Sequence, residues 1–112
     1  MDCIFCRIAT GEIPSKKLYE DEQVLAFYDI DPKAPVHFLV IPKQHIASAD
    51  ELTDQNSDIV AHVFEVIASV AKTLELQNGY RVVTNVGADG GQSVSHLHFH
   101  ILGGRALAWP PG

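Results

Sequence analysis

The chain has 112 residues, of which 46% are hydrophobic, and this length and composition predict one globular domain covering residues 1–112. Its 14 acidic and 8 basic residues give a net charge of −6, which argues against a nucleic-acid polymer as partner, because such proteins need basic patches. No apolar stretch approaches the roughly 20 residues that cross a bilayer, and residues 1–6 do not resemble a signal peptide. We therefore expect a cytoplasmic protein without a membrane partner.

The first part of the chain predicts a short helix followed by three strands. Residues 4–9 form a short helix or turn, and Lys17–Glu20 and residues 24–29 are strands around a polar turn. The prolines in residues 31–35 make the next connection rigid, because each fixes its own φ and favours extended geometry before it. Residues 37–41 then form an apolar strand.

The second part predicts one long helix and two more strands. Ser48 and Glu51 have capping-box spacing, which indicates a short helical turn. The clearest helix is predicted over residues 54–76, because hydrophobic residues recur within it at steps of three and four: Val60, Val63, Ile67, Val70 and Leu74. Strands at 80–85 and 96–102 follow. Because strands and helices do not alternate, we expect an α+β fold. Its five-stranded antiparallel sheet carries the long helix on one face.

Three histidines alternate with apolar residues near the C-terminus. His96, His98 and His100 are two residues apart, so in a β-strand their side chains share one face while the apolar side chains face a core. The loop Gly90-Gly91-Gln92-Ser93 lies directly upstream, and its glycines let backbone N–H groups approach an oxyanion closely. This combination indicates chemistry at phosphorus. The residues alone leave two alternatives open, a metal site and the polar face of an exposed strand.

Several motifs together resemble the histidine triad family, and the resemblance covers nearly the whole chain. The run Gly103-Gly104-Arg105 after the triad and the tail Trp109-Pro110-Pro111-Gly112 are similar to its nucleotide-binding Hint branch. Other segments also fit the family in order and spacing: Ile4-Phe5, Gly11-Glu12-Ile13-Pro14, Ala26-Phe27-Tyr28-Asp29-Ile30, Ala34-Pro35, His37-Phe38-Leu39-Val40-Ile41-Pro42-Lys43 and Gly79-Tyr80-Arg81.

The resemblance implies a purine nucleoside phosphoramidase that hydrolyses the P–N bond of adenosine 5′-phosphoramidates and binds AMP or GMP. It makes His98 the nucleophile, places His100 at the α-phosphate and Ser93 at the phosphate or departing amine, and includes His96 in the catalytic set. A neutral imidazole attacks phosphorus through one nitrogen if a carbonyl holds the N–H of the other. Two alternatives remain open, a dinucleoside polyphosphate hydrolase and a nucleotide-binding interaction module with incidental activity.

The resemblance also implies a set of nucleotide-binding residues. Asp29 accepts hydrogen bonds from the ribose hydroxyls, Asn85 reaches the sugar or phosphate, and Trp109 shapes the leaving-group side of the site. The residues that wall the base would otherwise be ordinary core residues: Ile4, Phe5, Ile8, Phe27 and Ile30. The remaining members line the loop before the triad: Gly91, Gln92, Ser93 and Val94.

The pair Cys3-x-x-Cys6 is a weak signal by itself, because such a pair binds zinc, acts as a redox couple, or consists of two inert thiols. The resemblance implies a structural zinc ion bound by Cys3, Cys6, His45 and His96, and no catalytic metal. Four ligands of this kind complete a closed tetrahedral site.

The two other histidines receive lesser roles. We expect His37 near the triad row and His62 on the surface of the long helix. The resemblance further implies a homodimer in which the sheet continues from one subunit into the other. In that assembly the tail, residues 109–112, approaches the partner's active site.

Overall fold

The computed structural model describes residues 3–112, which form a five-stranded antiparallel sheet, one long helix and a short N-terminal helix. The predicted α+β fold class is therefore confirmed. The strands follow the order β1-β2-β3-β5-β4 across the sheet, so that the last two strands of the sequence exchange places. Their bounds and those of the helices are α1 Ile4–Ala9, β1 Lys17–Glu20, β2 Val24–Tyr28, β3 Val36–Pro42, α2 Asp58–Thr73, β4 Tyr80–Val83 and β5 Phe99–Gly103.

Both faces of the sheet are covered, each by one helix. The residues of α2 that repeat every three or four positions, such as Val63 and Ile67, pack on the face that carries Phe38 and Val40. Phe5 of α1 packs on the opposite face, beside Leu39 and other residues that alternate with the first set. The triad side chains share this second face, so the short helix is the element that covers them.

The long helix is shorter at both ends than the periodicity predicts. Residues 54–57 form turns, in which Asn56 N donates to Thr53 O at 3.2 Å and Asn56 Oδ1 accepts from Thr53 N at 2.8 Å. The helix ends at Thr73, and Glu75 then adopts a φ of 61°. The predicted short turn is confirmed as a 3₁₀ helix at Ala49–Glu51, where Ser48 Oγ accepts from Asp50 N at 3.2 Å.

The predicted bounds of the strands also need correction. β2 ends at Tyr28, β4 ends at Val83, and β3 extends one residue beyond the prediction at each end. The largest difference concerns the last strand, which was expected over residues 96–102 but pairs with its neighbours only over Phe99–Gly103. The segment 96–98 bonds instead to the chain after β3, where Ile46 O accepts from Leu97 N at 2.6 Å.

No helix among residues 3–112 has the length and apolar character needed to cross a membrane.

Candidate active site

The three histidines of the triad lie on the sheet face that α1 covers. Leu97 and Phe99, which alternate with them, are buried on the other face against α2, as the alternation predicts. His96 is fully buried and only 4% of His98 is exposed. The alternative of a solvated polar strand face is therefore wrong.

His98 is oriented by the backbone of its neighbour in the triad. Its Nδ1–H donates to the carbonyl oxygen of His96 at 2.6 Å, and this bond assigns the proton of the neutral ring to Nδ1. The lone pair is then on Nε2. The Phe5 ring packs edge-on against the imidazole, with 5.0 Å between the ring centres. This arrangement presents one nucleophilic nitrogen in a fixed direction, as the predicted role requires.

His100 receives its orientation from His37, through a chain of hydrogen bonds that begins at a backbone amide. Lys33 N donates to His37 Nδ1 at 3.0 Å, so the proton of His37 is on Nε2, which donates to His100 Nδ1 at 2.9 Å. The remaining proton of His100 is consequently on Nε2. Burial is the main cause that lowers the pKa of both His37 and His100, and the neighbouring His98 lowers that of His100 further.

Asp29, directly after β2, forms a group with His37 and His100. Its Oδ1 accepts from Asp31 N at 2.7 Å, and its Oδ2 lies 3.4 Å from His37 Nε2 and 3.9 Å from His100 Nδ1. These three side chains are close enough to bind a metal ion. The bond from Lys33 N leaves no lone pair on His37 Nε2, however, so the group is a hydrogen-bond network and not a ligand set.

The alternative of a metal site built on all three triad histidines is also wrong. His96 Nε2–H donates to Pro42 O at 2.8 Å, which turns Nδ1 away from the rest of the triad and towards the two cysteines. Each triad histidine thus has a different backbone or side-chain partner, and the three rings do not converge on one point.

A separate cluster of possible metal ligands consists of Cys3, Cys6, His45 and His96, whose ligand atoms all lie within 4.8 Å of one another. His96 Nδ1 lies 3.3 Å from Cys3 Sγ and 3.2 Å from His45 Nδ1, and Cys6 Sγ lies 3.3 Å from His45 Nδ1. Tetrahedral coordination by sulfur and nitrogen at 2.0–2.3 Å requires about 3.3–3.8 Å between ligand atoms. The predicted four residues are therefore brought together with the spacing that a metal ion needs.

Burial changes the protonation of this cluster in two ways. Burial is the main cause that lowers the pKa of His96, which keeps the ring neutral and its Nδ1 lone pair available. Burial, followed by a hydrogen bond and charge repulsion from Cys3, raises the pKa of the Cys6 thiol. A bound cation would offset this rise in the pKa of Cys6, because a coordinated thiol loses its proton.

The loop before the triad is closed by the side chain of Gln92. Its Oε1 accepts from Gly87 N at 3.0 Å, and its Nε2 donates to Ala47 O at 2.8 Å and to Val94 O at 2.9 Å. The side-chain amide of Gln92 thus makes its hydrogen bonds within the protein and holds the loop in shape. Only the backbone of Gln92 is left to contact a ligand. Gly91 has a φ of 75°, which a residue with a side chain rarely adopts, and Ser93 beyond it is exposed.

The predicted base-wall residues fall into two groups. Phe5, Ile8 and Phe27 are buried in the core beneath α1, which agrees with the simpler reading of core residues. Ile4 and Ile30, in contrast, are 50% and 101% exposed, which is unusual for isoleucine.

The last two predicted binding residues lie outside the histidine cluster. Asn85 is half-buried just after β4. Trp109 is 81% exposed on a tail that Arg81 fixes to β4 by donating to Ala108 O at 2.8 Å.

Sequence reasoning missed the backbone groups that orient the imidazoles, namely Lys33 N and the carbonyls of Pro42 and His96. No sequence pattern reports such contacts. His37 lies beside the triad as predicted. His62 lies outside the site on α2, half-buried, with its Nε2 2.6 Å from Asp21 Oδ2.

Comparison with known proteins agrees with this geometry. Residues 10–107 match the family model described as the HIT domain. The chain belongs to the HIT family. The resemblance to histidine triad proteins is thereby confirmed, whereas membership of the Hint branch stays a prediction.

Solved structures of HIT proteins superpose over almost the whole chain. A histidine triad protein from Clostridium difficile is 55% identical, with a TM-score of 0.94 over 96% of this chain and 95% of that one. A HIT family hydrolase from Legionella pneumophila is 47% identical, with a TM-score of 0.97 over 99% and 100% of the two chains. A histidine triad nucleotide-binding protein from Candida albicans is 37% identical, with a TM-score of 0.83 over 97% and 83%.

Proposed function

We propose that this HIT protein is a purine nucleoside phosphoramidase of the Hint branch, which hydrolyses the P–N bond of adenosine 5′-phosphoramidates. The observation that carries the proposal is the orientation of His98, whose Nδ1–H is bound to His96 O so that Nε2 is free to attack. The names of two similar proteins, a hydrolase and a nucleotide-binding protein, support the same class of reaction.

The reaction follows from the assigned protons. His98 Nε2 attacks the α-phosphorus, a P–N bond to the ring forms, and the P–N bond to the amine breaks. Ser93, exposed at the loop, donates a proton to the departing amine. His100 Nε2–H donates to a phosphate oxygen, a bond that strengthens as negative charge grows there. Water then attacks the nucleotidyl-histidine and one of its protons returns to Ser93, which releases AMP and returns His98 to its neutral form.

The remaining predicted residues bind the nucleotide in this proposal. Asp29 accepts from the vicinal ribose hydroxyls through the carboxylate oxygen that faces the histidines. The adenine ring packs between the exposed Ile4 and Ile30, above the buried Phe5, Ile8 and Phe27. Backbone groups of Gly91, Gln92 and Val94 contact the phosphate, together with the Asn85 amide.

The decisive experiment replaces His98 with Ala and measures hydrolysis of adenosine 5′-phosphoramidate. Loss of the nucleophile should lower kcat by about 10⁴-fold or more. His62→Gln is the matched control, because it removes a histidine far from the triad and should leave turnover unchanged. Turnover by His98→Ala close to that of the wild type would refute the mechanism. Faster turnover of dinucleoside polyphosphates by the wild type would instead identify a polyphosphate hydrolase.

We propose further that Cys3, Cys6, His45 and His96 bind one zinc ion, because zinc prefers tetrahedral Cys and His ligands. The site connects α1, the segment after β3 and the triad, so the ion supplies folding free energy and no chemistry on the substrate. Elemental analysis should find one zinc per chain in protein purified without chelators. A metal-free protein with full thermal stability would contradict this assignment.

The assembly that we propose is a homodimer with twofold symmetry. β4 is an edge strand, and apolar side chains are exposed on it and on α2, namely Tyr80 and Phe64. Pairing of the two β4 strands would continue the sheet and bring the exposed Trp109 near the partner's site. Sedimentation at micromolar concentration should show a dimer, and a monomer would exclude the arrangement.

A further inference from the structure

The two cysteines at the start of α1 lie close enough to bond to each other. Cys3 directly precedes the helix, and its Sγ accepts from Cys6 N at 3.3 Å, so its side chain already lies over the first turn. Both sulfurs contact the same atom, His96 Nδ1, at 3.3 and 3.5 Å, and they lie within 4.8 Å of each other. A disulfide requires about 2.05 Å between sulfurs, and side-chain rotation within one helical turn can close that gap.

The two thiols differ in exposure, which determines the one that peroxide reaches first. Cys3 is buried, whereas Cys6 is half-buried and is reached first from solvent. We propose that Cys3 and Cys6 form a reversible intramolecular disulfide when hydrogen peroxide reaches the site, and that this disulfide and a bound metal ion exclude each other. The chain thus carries a modification site whose occupant is either a metal ion or a sulfur–sulfur bond.

The reaction takes place in two balanced steps. The Cys6 sulfur attacks one oxygen of hydrogen peroxide, the O–O bond breaks, and Cys6 becomes a sulfenic acid while one water leaves with the thiol proton. The Cys3 sulfur then attacks the Cys6 sulfur, the S–O bond breaks, and a second water leaves with the Cys3 proton. Two thiols are oxidised and one peroxide is reduced. A dithiol reductant reverses the change.

Metal binding and the disulfide are incompatible because of the ligand chemistry. A metal ion of this kind binds thiolates, and a disulfide has none. After oxidation only His45 and His96 would remain of the four ligands, too few for a closed tetrahedral site. The bound ion should therefore be released in step with disulfide formation.

The site also contacts the triad through Phe5, one of the two residues between the cysteines. The Phe5 ring centre lies 5.0 Å from that of His98 and 6.0 Å from that of His96. A change in the first turn of α1 would move this ring, and an aromatic ring strongly affects the NMR shifts of nearby protons. Oxidation should thus be visible at His98 without any measurement of hydrolysis. The proposal is independent of the proposed catalytic activity, and its metal-release part rests on the proposed metal site.

The test treats the protein as purified with hydrogen peroxide and follows three quantities together. These are the mass of the chain, the metal released to a chromophoric chelator, and the His98 ring signals. We expect a loss of two hydrogen masses per chain, release of one metal ion per disulfide, and a shift of the His98 signals. Added dithiothreitol with zinc should reverse all three. Cys3→Ser and Cys6→Ser are the matched variants, and neither should lose the two hydrogen masses.

Several results would overturn the proposal, and the wild type alone can supply them. If the chain keeps both thiols at a peroxide concentration that fully oxidises a reference dithiol, the proposal is refuted. Disulfide formation with the metal still bound would refute mutual exclusion. A disulfide between chains, or conversion to sulfinic acid without a disulfide, would refute the intramolecular bond.

Discussion

The hydrogen bond between His37 and His100 allows a prediction that separates the positioning of a proton from ordinary packing. His37→Leu keeps a buried apolar side chain but removes both the acceptor of Lys33 N–H and the donor to His100 Nδ1. His100 is then free to carry its proton on Nδ1, facing Asp29 Oδ2 at 3.9 Å. Its Nε2 would present a lone pair to the phosphate in place of a proton.

The magnitude follows from the loss of one hydrogen bond to a charged phosphate oxygen. Such bonds contribute about 1.5–3 kcal/mol, and about 1.36 kcal/mol corresponds to a tenfold change in rate. We therefore expect His37→Leu to lower kcat for adenosine 5′-phosphoramidate about 10- to 150-fold, with a smaller effect on KM. His37→Gln should recover much of this loss, because its amide oxygen accepts from Lys33 N while its NH₂ donates to His100 Nδ1.

The assay combines steady-state kinetics with ¹⁵N NMR of the histidine rings. In the wild type the His100 signals should report a proton on Nε2, and in His37→Leu a shift of population towards Nδ1. A purely structural role would lower the unfolding midpoint of both variants without changing the tautomer. An unchanged tautomer and near wild-type kcat in folded His37→Leu would refute the assigned chain of protons.

Three further outcomes are expected. The wild type should prefer the ribo substrate to the 2′,3′-dideoxy substrate by about 1–3 kcal/mol of transition-state binding, and Asp29→Ala should lose this preference. Equal losses with both substrates in the variant would show that Asp29 has a structural role. The hydrogen bond to Asp21 raises the pKa of His62, so the charged pair stabilises the fold below the unfolded pKa of His62 and fades as pH rises through the raised value. His62→Gln should thus lower the free energy of unfolding by about 1 kcal/mol near pH 6 and less near pH 9 in urea titrations, and a pH-independent loss would contradict this sign. Deletion of residues 109–112 should change selectivity among amine leaving groups more than AMP affinity, and an unchanged profile in competition kinetics would remove Trp109 from the site.

The architecture could be predicted from sequence because its signals are local and periodic. Residues of α2 such as Val63 and Ile67 repeat at helical spacing, and the alternation in β3 places Phe38 and Leu39 on opposite faces. The ends of elements were less predictable. Residues 54–57 were predicted to belong to the helix, but bonds of the i to i−3 kind, such as Asn56 N to Thr53 O at 3.2 Å and Val60 N to Ser57 O at 3.0 Å, make this segment a series of turns before the regular helix.

The common face of the three histidines was also predictable, whereas the backbone and side-chain partners of each ring were not. The spacing of the histidines and the resemblance bring together the residues that the structure places in two clusters. Which ring nitrogen carries a proton depends on backbone atoms distant in sequence, such as Pro42 O for His96, 54 residues away. The alternation alone treats the three imidazoles as equivalent. The resemblance assigns them different roles, and the hydrogen bonds show that each ring has a different partner.

The point at which β5 begins explains how one row of histidines supports three roles. In a regular ladder extending to residue 96, the backbone of His96 would pair with a neighbouring strand. Pairing begins only at Phe99, so the His96 carbonyl is free to accept from His98 Nδ1. The same irregular segment directs His96 Nδ1 towards the cysteines. His100 lies within the ladder, opposite Leu39, and takes its orientation from His37 of the adjacent strand. The departure from the predicted strand is thus the feature that gives the three histidines separate partners, which the proposed roles of nucleophile, metal ligand and phosphate donor require.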